Sequence, residues 1–168
     1  MLLTSSPVDT NGPIGRLVQR VAGTPAFAKV APTIVPAADR LVHRLTGGRV
    51  LLSQSLMPSL VLTTVGAKSG LRREAPLACL PEDGGTILVV GSNFGREHHP
   101  AWTANLLANP KAEVSFRRQT FTVDAQLLDG DERDVVWPRL TKIWPTYDRY
   151  AQRSGRELRV FRLVPIDA

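Results

Sequence analysis

Apolar and polar positions along this chain change rhythm twice. Over the first third they recur at helical spacing. Ile14, Leu17, Val18 and Val21 fall at i, i+3, i+4 and i+7, with Arg16, Gln19 and Arg20 between them and Pro13 at a first helical position. Val35, Ala38, Leu41, Val42 and Leu45 repeat the pattern. Arg40, His43 and Arg44 occupy the other face, and Gly47-Gly48 supply a stop.

From residue 58 the rhythm is that of strands. Leu60 to Val65 is apolar and β-branched; the run from Ala75 to Leu80 is apolar too, and Pro76 marks an edge or strand start. Gly84-Gly85 turns the chain into Thr86 to Val90. A polar loop, Gly91 to His99, leads to a short helix that starts at Pro100 and stops at Asn109-Pro110. Val114 and Phe116 then alternate with Glu113, Ser115 and Arg117. Phe121, Val123, Ala125 and Leu127 alternate with Thr120, Thr122, Asp124 and Gln126, which predicts a hairpin around Arg118-Gln119.

The last zone opens on Asp129-Gly130-Asp131-Glu132, acidic residues suited to a helix N-terminus. The helix runs through Val136, Leu140 and Ile143, so Pro138 must lie in a first turn or make a kink. Tyr147 and Tyr150 follow at i, i+3, and a final strand from Leu158 to Val164 ends at Pro165. Six strands with few helices and hairpin-like links predict a mainly β, α+β fold: a small antiparallel barrel. Residues 1–57 read as a loosely attached helical segment and residues 58–168 as the barrel domain.

Composition narrows this little. At 168 residues one packed domain is expected, and no apolar run is long enough to span a bilayer. The first residues lack a basic n-region and a long apolar stretch, so no secretion signal is expected. The lone Cys79 sits in an apolar strand, which favours a buried, inert thiol in a reducing compartment. Charge says more. Of the net +6, residues 1–60 hold six Lys or Arg against Asp9 and Asp39, whereas residues 123–168 balance eight against eight. Neither interleaved aromatics nor a base-reading helix accompanies the excess, so nucleic acid is not the expected partner. Anionic small molecules or a membrane surface are.

The chemistry must come from few residues. No Gly-rich dinucleotide fingerprint and no phosphate loop of Walker spacing occurs, and the serines lack a nucleophile-elbow context. His98-His99 have no partner at metal-ligand spacing, so no metal is expected. A cationic glycine-bounded loop remains, with Lys68, Arg72 and Arg73 beside Ser69. So do a polar loop with Ser92, Asn93 and Gly95, a helix start with Trp102 and Asn105, and the tyrosine pair. These suit a flat cofactor with a charged tail: cations for the tail, small residues and backbone for the ring, aromatics to cover it. On spacing alone a basic turn and core aromatics explain the same residues.

The run Leu62-Thr63-Thr64-Val65-Gly66-Ala67-Lys68-Ser69-Gly70, with Arg73 and Pro76, resembles the deazaflavin-dependent nitroreductase family. So do His99-Pro100-Ala101-Trp102 with Asn105-Leu106 and Ala108-Asn109-Pro110, and Trp137-Pro138 with Trp144-Pro145-Thr146-Tyr147. The likeness covers roughly residues 58–165. It implies an actinobacterial oxidoreductase with a split β-barrel and covering helices, using reduced coenzyme F-420 on a quinone-like or nitroaromatic acceptor. The cofactor tail would meet Ala67, Lys68, Ser69 and Arg73. The backbone of Glu74, Ala75, Pro76, Leu77 and Ala78 would line tail and ring. Val90, Gly91, Ser92 and Asn93, with Ala101, Trp102, Thr103, Ala104, Asn105 and Tyr147, would close the other side. Trp144, Tyr147 and Tyr150 would face the acceptor, with Tyr147, Tyr150 and Ser92 as the catalytic hydrogen-bond donors.

Two departures from the family pattern stand out. Asn93 replaces a lysine that commonly follows the serine, and Trp144 replaces a tyrosine. The first removes a cation from the phosphate environment; the second removes a phenol from the acceptor wall. The same parts also fit an FMN-binding split-barrel enzyme, or a non-catalytic deazaflavin or lipid carrier. With a quinone as acceptor, residues 1–57 become a candidate membrane contact, placing the protein in the cytoplasm and peripherally on the inner face of the membrane.

Overall fold

A computed structural model describes residues 13–22, 24–27, 29–30, 34, 37, 41, 44–45 and 57–166. Six strands close into an antiparallel barrel in the order β1-β2-β3-β6-β5-β4. They are β1 (Ser59–Val65), β2 (Arg72–Pro81), β3 (Ile87–Val90), β4 (Lys111–Phe116), β5 (Gln119–Leu128) and β6 (Val160–Pro165). Helices accompany them: α1 (Pro13–Ala22), α2 (Ala101–Ala108), α3 (Gly130–Ile143) and α4 (Thr146–Ser154).

The alternation seen in the sequence sorts residues to the barrel interior. Leu60 and Leu62, Ile87 and Val89, Ala112 and Val114, Val123 and Ala125, and Phe161 and Leu163 each sit two apart on one strand and share one core. Trp102 and Leu106, four apart on α2, join the same cluster; Trp102 lies 5.7 Å from the Phe161 ring. A second core lies on the other side of the sheet, where α3 offers Val136 and Leu140 and α4 offers Tyr147 and Tyr150 to Leu88, Val90, Leu128 and Val160. β3 is therefore buried on both faces, which is why it reads as an unbroken apolar run.

Three local expectations need correction. β2 starts at Arg72, so Arg72, Arg73 and Glu74 belong to a strand and not to the loop. The hairpin turn is Arg117-Arg118, with φ of 48° and 67°, one residue earlier than the alternation suggested. These angles fit the two-residue turn whose twist matches the flanking strands. Pro138 lies mid-way along α3, which continues through it. Packing of Val136 and Leu140, worth about 2 kcal/mol each, offsets much of the lost hydrogen bond. Of the two helices expected in the N-terminal third, α1 is present from Pro13 to Ala22. Ile34, Ala37, Leu41, Arg44 and Leu45 are helical too, while Val35, Ala38, Val42 and Gly47-Gly48 lie outside the described residues.

Charged and aromatic contacts set the helices on the barrel. The Trp137 indole of α3 donates to Asp148 of α4 at 3.0 Å. Glu82, 9% exposed, accepts from Arg162 Nε of β6 at 2.9 Å, from Arg139 Nη1 of α3 at 2.7 Å and from the Thr86 hydroxyl at 3.2 Å. Burial alone would raise its carboxyl pKa. The hydrogen bonds from Arg162 and Arg139 outweigh this and hold it below the ordinary 4.5. The stabilisation is complete above that value and is lost as pH falls through the lowered one. Glu82→Gln is expected to cost roughly 1–3 kcal/mol at pH 7. In denaturant melts its deficit should shrink as pH falls below the ordinary carboxylate value and through the lowered one, as the wild-type carboxylate protonates; a deficit that stays constant throughout acid titration would exclude a charge origin.

Candidate functional site

Between β1 and β2 the chain turns through Gly66 to Leu71. Gly66 N–H donates to Leu71 O and Gly70 N–H to Gly66 O, both at 2.8 Å. Gly70 has φ +67°, and the Ser69 hydroxyl accepts from Leu71 N–H at 3.3 Å. The loop is fastened from outside by Asn105 of α2, which is 7% exposed. Asn105 Oδ1 accepts from Ala67 N–H and its amide donates to Thr64 Oγ1, both at 2.9 Å. The cations then divide. Arg72 pairs with Glu113 at 2.9 Å, while Lys68 and Arg73 are exposed and have no ion-pair partner among the described residues.

β2 is only partly matched on its other edge. It pairs with β1 from Arg72 to Ala78, but with β3 only from Cys79 to Pro81. The Cys79 N–H bond to Pro58 O sets the phase of the ladder, so the backbone groups of Arg73, Ala75 and Leu77 point to β1. Those of Glu74, Pro76 and Ala78 point to the edge that β3 leaves unmatched. Pro76, with no N–H to offer, is tolerated there because no strand asks for one.

At the end of this edge lies an apolar crevice. Ala78, Leu80, Leu88 and Val90 form one wall, and Met57, Leu140, Ile143 and Tyr147 complete it. Cys79 also touches it, and burial pushes its thiol up to about 12, the Arg117 charge offsetting little, so it is inert at neutral pH.

The two tyrosines differ in what their hydroxyls touch. Burial raises both phenols, Tyr150 to about 12, so both are protonated donors near neutrality. Tyr150 donates to Ala22 O of α1 at 3.1 Å. The Tyr147 hydroxyl has no hydrogen-bond partner among the described residues, and neither has that of Ser92. The buried Thr146 hydroxyl is also unpartnered there. Trp144 packs on the second core and stays half-buried.

Gly91 leads out of β3 against α2: a Cβ there would stand 2.8 Å from Thr103 Cγ2. Ser92 is right-handed, and Asn93, Phe94 and Gly95 follow with φ of 46°, 54° and 73°. Asn93, of a residue type that tolerates this region, donates from its amide to His98 O at 2.9 Å. It therefore holds its own loop together where a lysine would project a charge. His99 is kept neutral, first by burial and then by the charges of Arg156 and Arg159. Its Nδ1 must accept from Arg156, which has only donors.

The fold gathers Lys68, Ser69 and Arg73 at one end of the β2 edge, and Ala78, Val90 and Tyr147 around one crevice. Other expected residues serve the frame. Trp102 fills the barrel core, Thr103 is fully buried against Pro100 and Arg159, and Ala101 and Ala104 keep the exposed side of α2. Arg153 and Arg156, which the charge balance of residues 123–168 does not single out, grip the Ser92 loop, and the Arg159 carbonyl accepts the Gly91 N–H.

The chain belongs to the F420H(2)-dependent quinone reductase family, whose model matches residues 37–165. It is an F420-dependent oxidoreductase of that family. It is 30% identical over 109 residues to the putative F420H(2)-dependent quinone reductase Rv3178 of Mycobacterium tuberculosis (strain ATCC 25618 / H37Rv), a match covering 65% of this chain and 91% of that one. Among solved structures it resembles an F420-H2 dependent reductase, FDR-A, at 34% identity and TM-score 0.57, covering 63% of this chain and 93% of that one. A structure described as a domain-swapped dimer matches at 31% identity and TM-score 0.60, over 76% and 93% of the two chains. The protein Atu2129 of Agrobacterium tumefaciens, of unknown function, shares the fold at 16% identity and TM-score 0.54, over 66% of this chain and 49% of that one. Among the described residues no helix is long and apolar enough to cross a membrane.

Proposed function

We propose that the protein reduces quinones by hydride transfer from reduced coenzyme F-420 bound along the open edge of β2. The observation that carries this reading is the continuity of the site: Lys68 and Arg73, without an ion-pair partner among the described residues, stand at one end of an unmatched strand edge whose other end is the Tyr147 crevice. An elongated anion with a flat head needs these parts in this order. Lys68 and Arg73 would hold the phosphate and polyglutamate tail. The outward backbone groups of Glu74, Pro76 and Ala78 would meet the ring's polar rim, and Ala78 and Val90 would give its face an apolar bed. When bound, the coenzyme supplies the hydride.

The chain's own part is orientation and charge. The hydroxyls of Tyr147 and Ser92 donate to the acceptor oxygens, where negative charge grows as hydride arrives, and a proton from solvent completes the hydroquinone. The same donors would serve a nitroaromatic acceptor. Residues 58–168 form the cofactor-binding unit in this reading, and residues 1–57 an accessory segment.

Fluorescence titration with the coenzyme, followed by turnover with soluble quinones, tests the reading. Tight binding without turnover would make the protein a carrier, and preference for FMN would replace the cofactor. Lys68→Ala and Arg73→Ala are each expected to weaken long-tailed coenzyme about tenfold while barely affecting the tail-less chromophore. Equal loss for both ligands would remove the two cations from the tail site.

Quinones reside in membranes, and α1 leaves Leu17 and Val21 exposed beside exposed Arg16 and Arg20. This favours peripheral contact with an anionic bilayer. Deleting residues 1–56 is expected to reduce co-sedimentation with anionic liposomes while soluble menadione is still reduced. Undiminished liposome binding would end the membrane role.

A further inference from the structure

The segment that leaves α4 for β6 carries Arg153, Arg156 and Arg159, and the proposed chemistry uses none of them. Arg156 is partly buried and forms no ion pair among the described residues. Its guanidinium spends its donors on one loop. Nε donates to Arg96 O at 3.0 Å, Nη1 to Gly91 O at 3.1 Å and to His99 Nδ1 at 3.0 Å, and Nη2 to Ser92 O at 2.8 Å. Arg153 takes the carbonyls of Phe94 and Gly95. Arg159 accepts the Gly91 N–H on its carbonyl at 2.8 Å and donates to Thr103 Oγ1 at 3.0 Å.

The loop so held is one that would not hold itself. Asn93 and Phe94 are non-glycine residues in the left-handed region, a conformation that persists only when its surroundings over-determine it. Here the surroundings are a planar fork spanning both sides of the turn, from Gly91 and Ser92 to Arg96. A lysine ammonium, a single point with three donors, cannot reach that spread of acceptors.

We propose that Arg156 is a positioning residue for hydride transfer. By gripping the carbonyls of Gly91, Ser92 and Arg96 it fixes the Ser92 hydroxyl and the end of β3 relative to cofactor and acceptor. This rests on the reading in which the Ser92 loop closes the deazaflavin site.

The test compares Arg156→Gln and Arg156→Lys with Arg139→Ala, which loosens the Glu82 pair away from the loop. Amide hydrogen exchange, melting temperature, coenzyme affinity, and kcat and KM for menadione are measured on each. In Arg156→Gln, exchange over residues 92–98 should quicken about tenfold while the β2 and β3 amides stay protected, and kcat should fall about 30-fold with KM within threefold. Arg156→Lys keeps charge and bulk and serves if the glutamine variant proves too unstable; it should remain about tenfold below wild type in kcat. Full activity in Arg156→Lys, unchanged loop exchange, or an equal kcat loss in Arg139→Ala would each overturn the proposal. Failure of the wild type itself to turn over would instead overturn the functional reading, and loop exchange would still decide whether Arg156 grips the loop.

Discussion

Asn105→Ala is expected to cost about 3 kcal/mol of stability and to weaken coenzyme binding at least tenfold. The residue is buried, and its amide bridges two elements, taking the Ala67 N–H of the first loop and donating to Thr64 of β1. Alanine leaves both partners without it and opens a small void beneath α2. Each abandoned polar group costs about 1–3 kcal/mol, and the void adds a part of what a removed side chain contributes. The functional loss has a separate cause: Ala67 is the residue before Lys68, so freeing its amide lets the cation wander from the tail. Asn105→Asp sharpens the point. It keeps an acceptor for Ala67 N–H but loses the donor to Thr64, so it should retain more affinity than the alanine variant. Thermal melts and coenzyme titration on both variants are decisive. Affinity at the wild-type level in Asn105→Ala would show that the loop needs no fastening.

The barrel was legible because β4 and β5 alternate inward apolar residues with polar ones, and β3 stands out as an unbroken apolar run. The chemistry of the first loop was legible too, since glycines and cations adjacent in sequence must be adjacent in space. Contacts that join distant segments were not. Nothing near Arg156 announces that its acceptors lie some sixty residues earlier, and the Asn105 bond to Ala67 crosses 38 positions. The open edge of β2 is a case between. Pro76 marked an edge position, but only the short reach of β3 shows which edge and how far it runs. Resemblance supplied residue identities where physics supplied none, yet it could not say that Asn93 would be spent on His98 or Trp102 on the core. A residue's place in a motif fixes which backbone it sits on; the partners its side chain finds depend on the whole fold.

Tyr147→Phe and Tyr150→Phe should separate along the same line, though the two rings lie one turn apart on α4. The Tyr147 hydroxyl has nothing to bind among the described residues, and the residue lines the apolar crevice at the end of the β2 edge. Removing it should leave melting temperature and coenzyme affinity nearly unchanged while kcat for menadione drops roughly 100-fold, the scale of one lost donor to a developing oxyanion. The Tyr150 hydroxyl is already engaged by Ala22 O. Its loss strands a buried carbonyl, so stability should fall by roughly 1–3 kcal/mol while kcat moves less than threefold at temperatures where the protein stays folded. A Tyr150→Phe variant that keeps its stability and loses turnover would exchange the two roles. The same hydrogen bond carries a consequence for α1. Through Tyr150 the end of α1 is bonded to the helix that carries Tyr147, so truncation of residues 1–56 should reproduce part of the stability loss of Tyr150→Phe. The deficits of truncation and substitution should therefore add to less than their sum when combined in one chain.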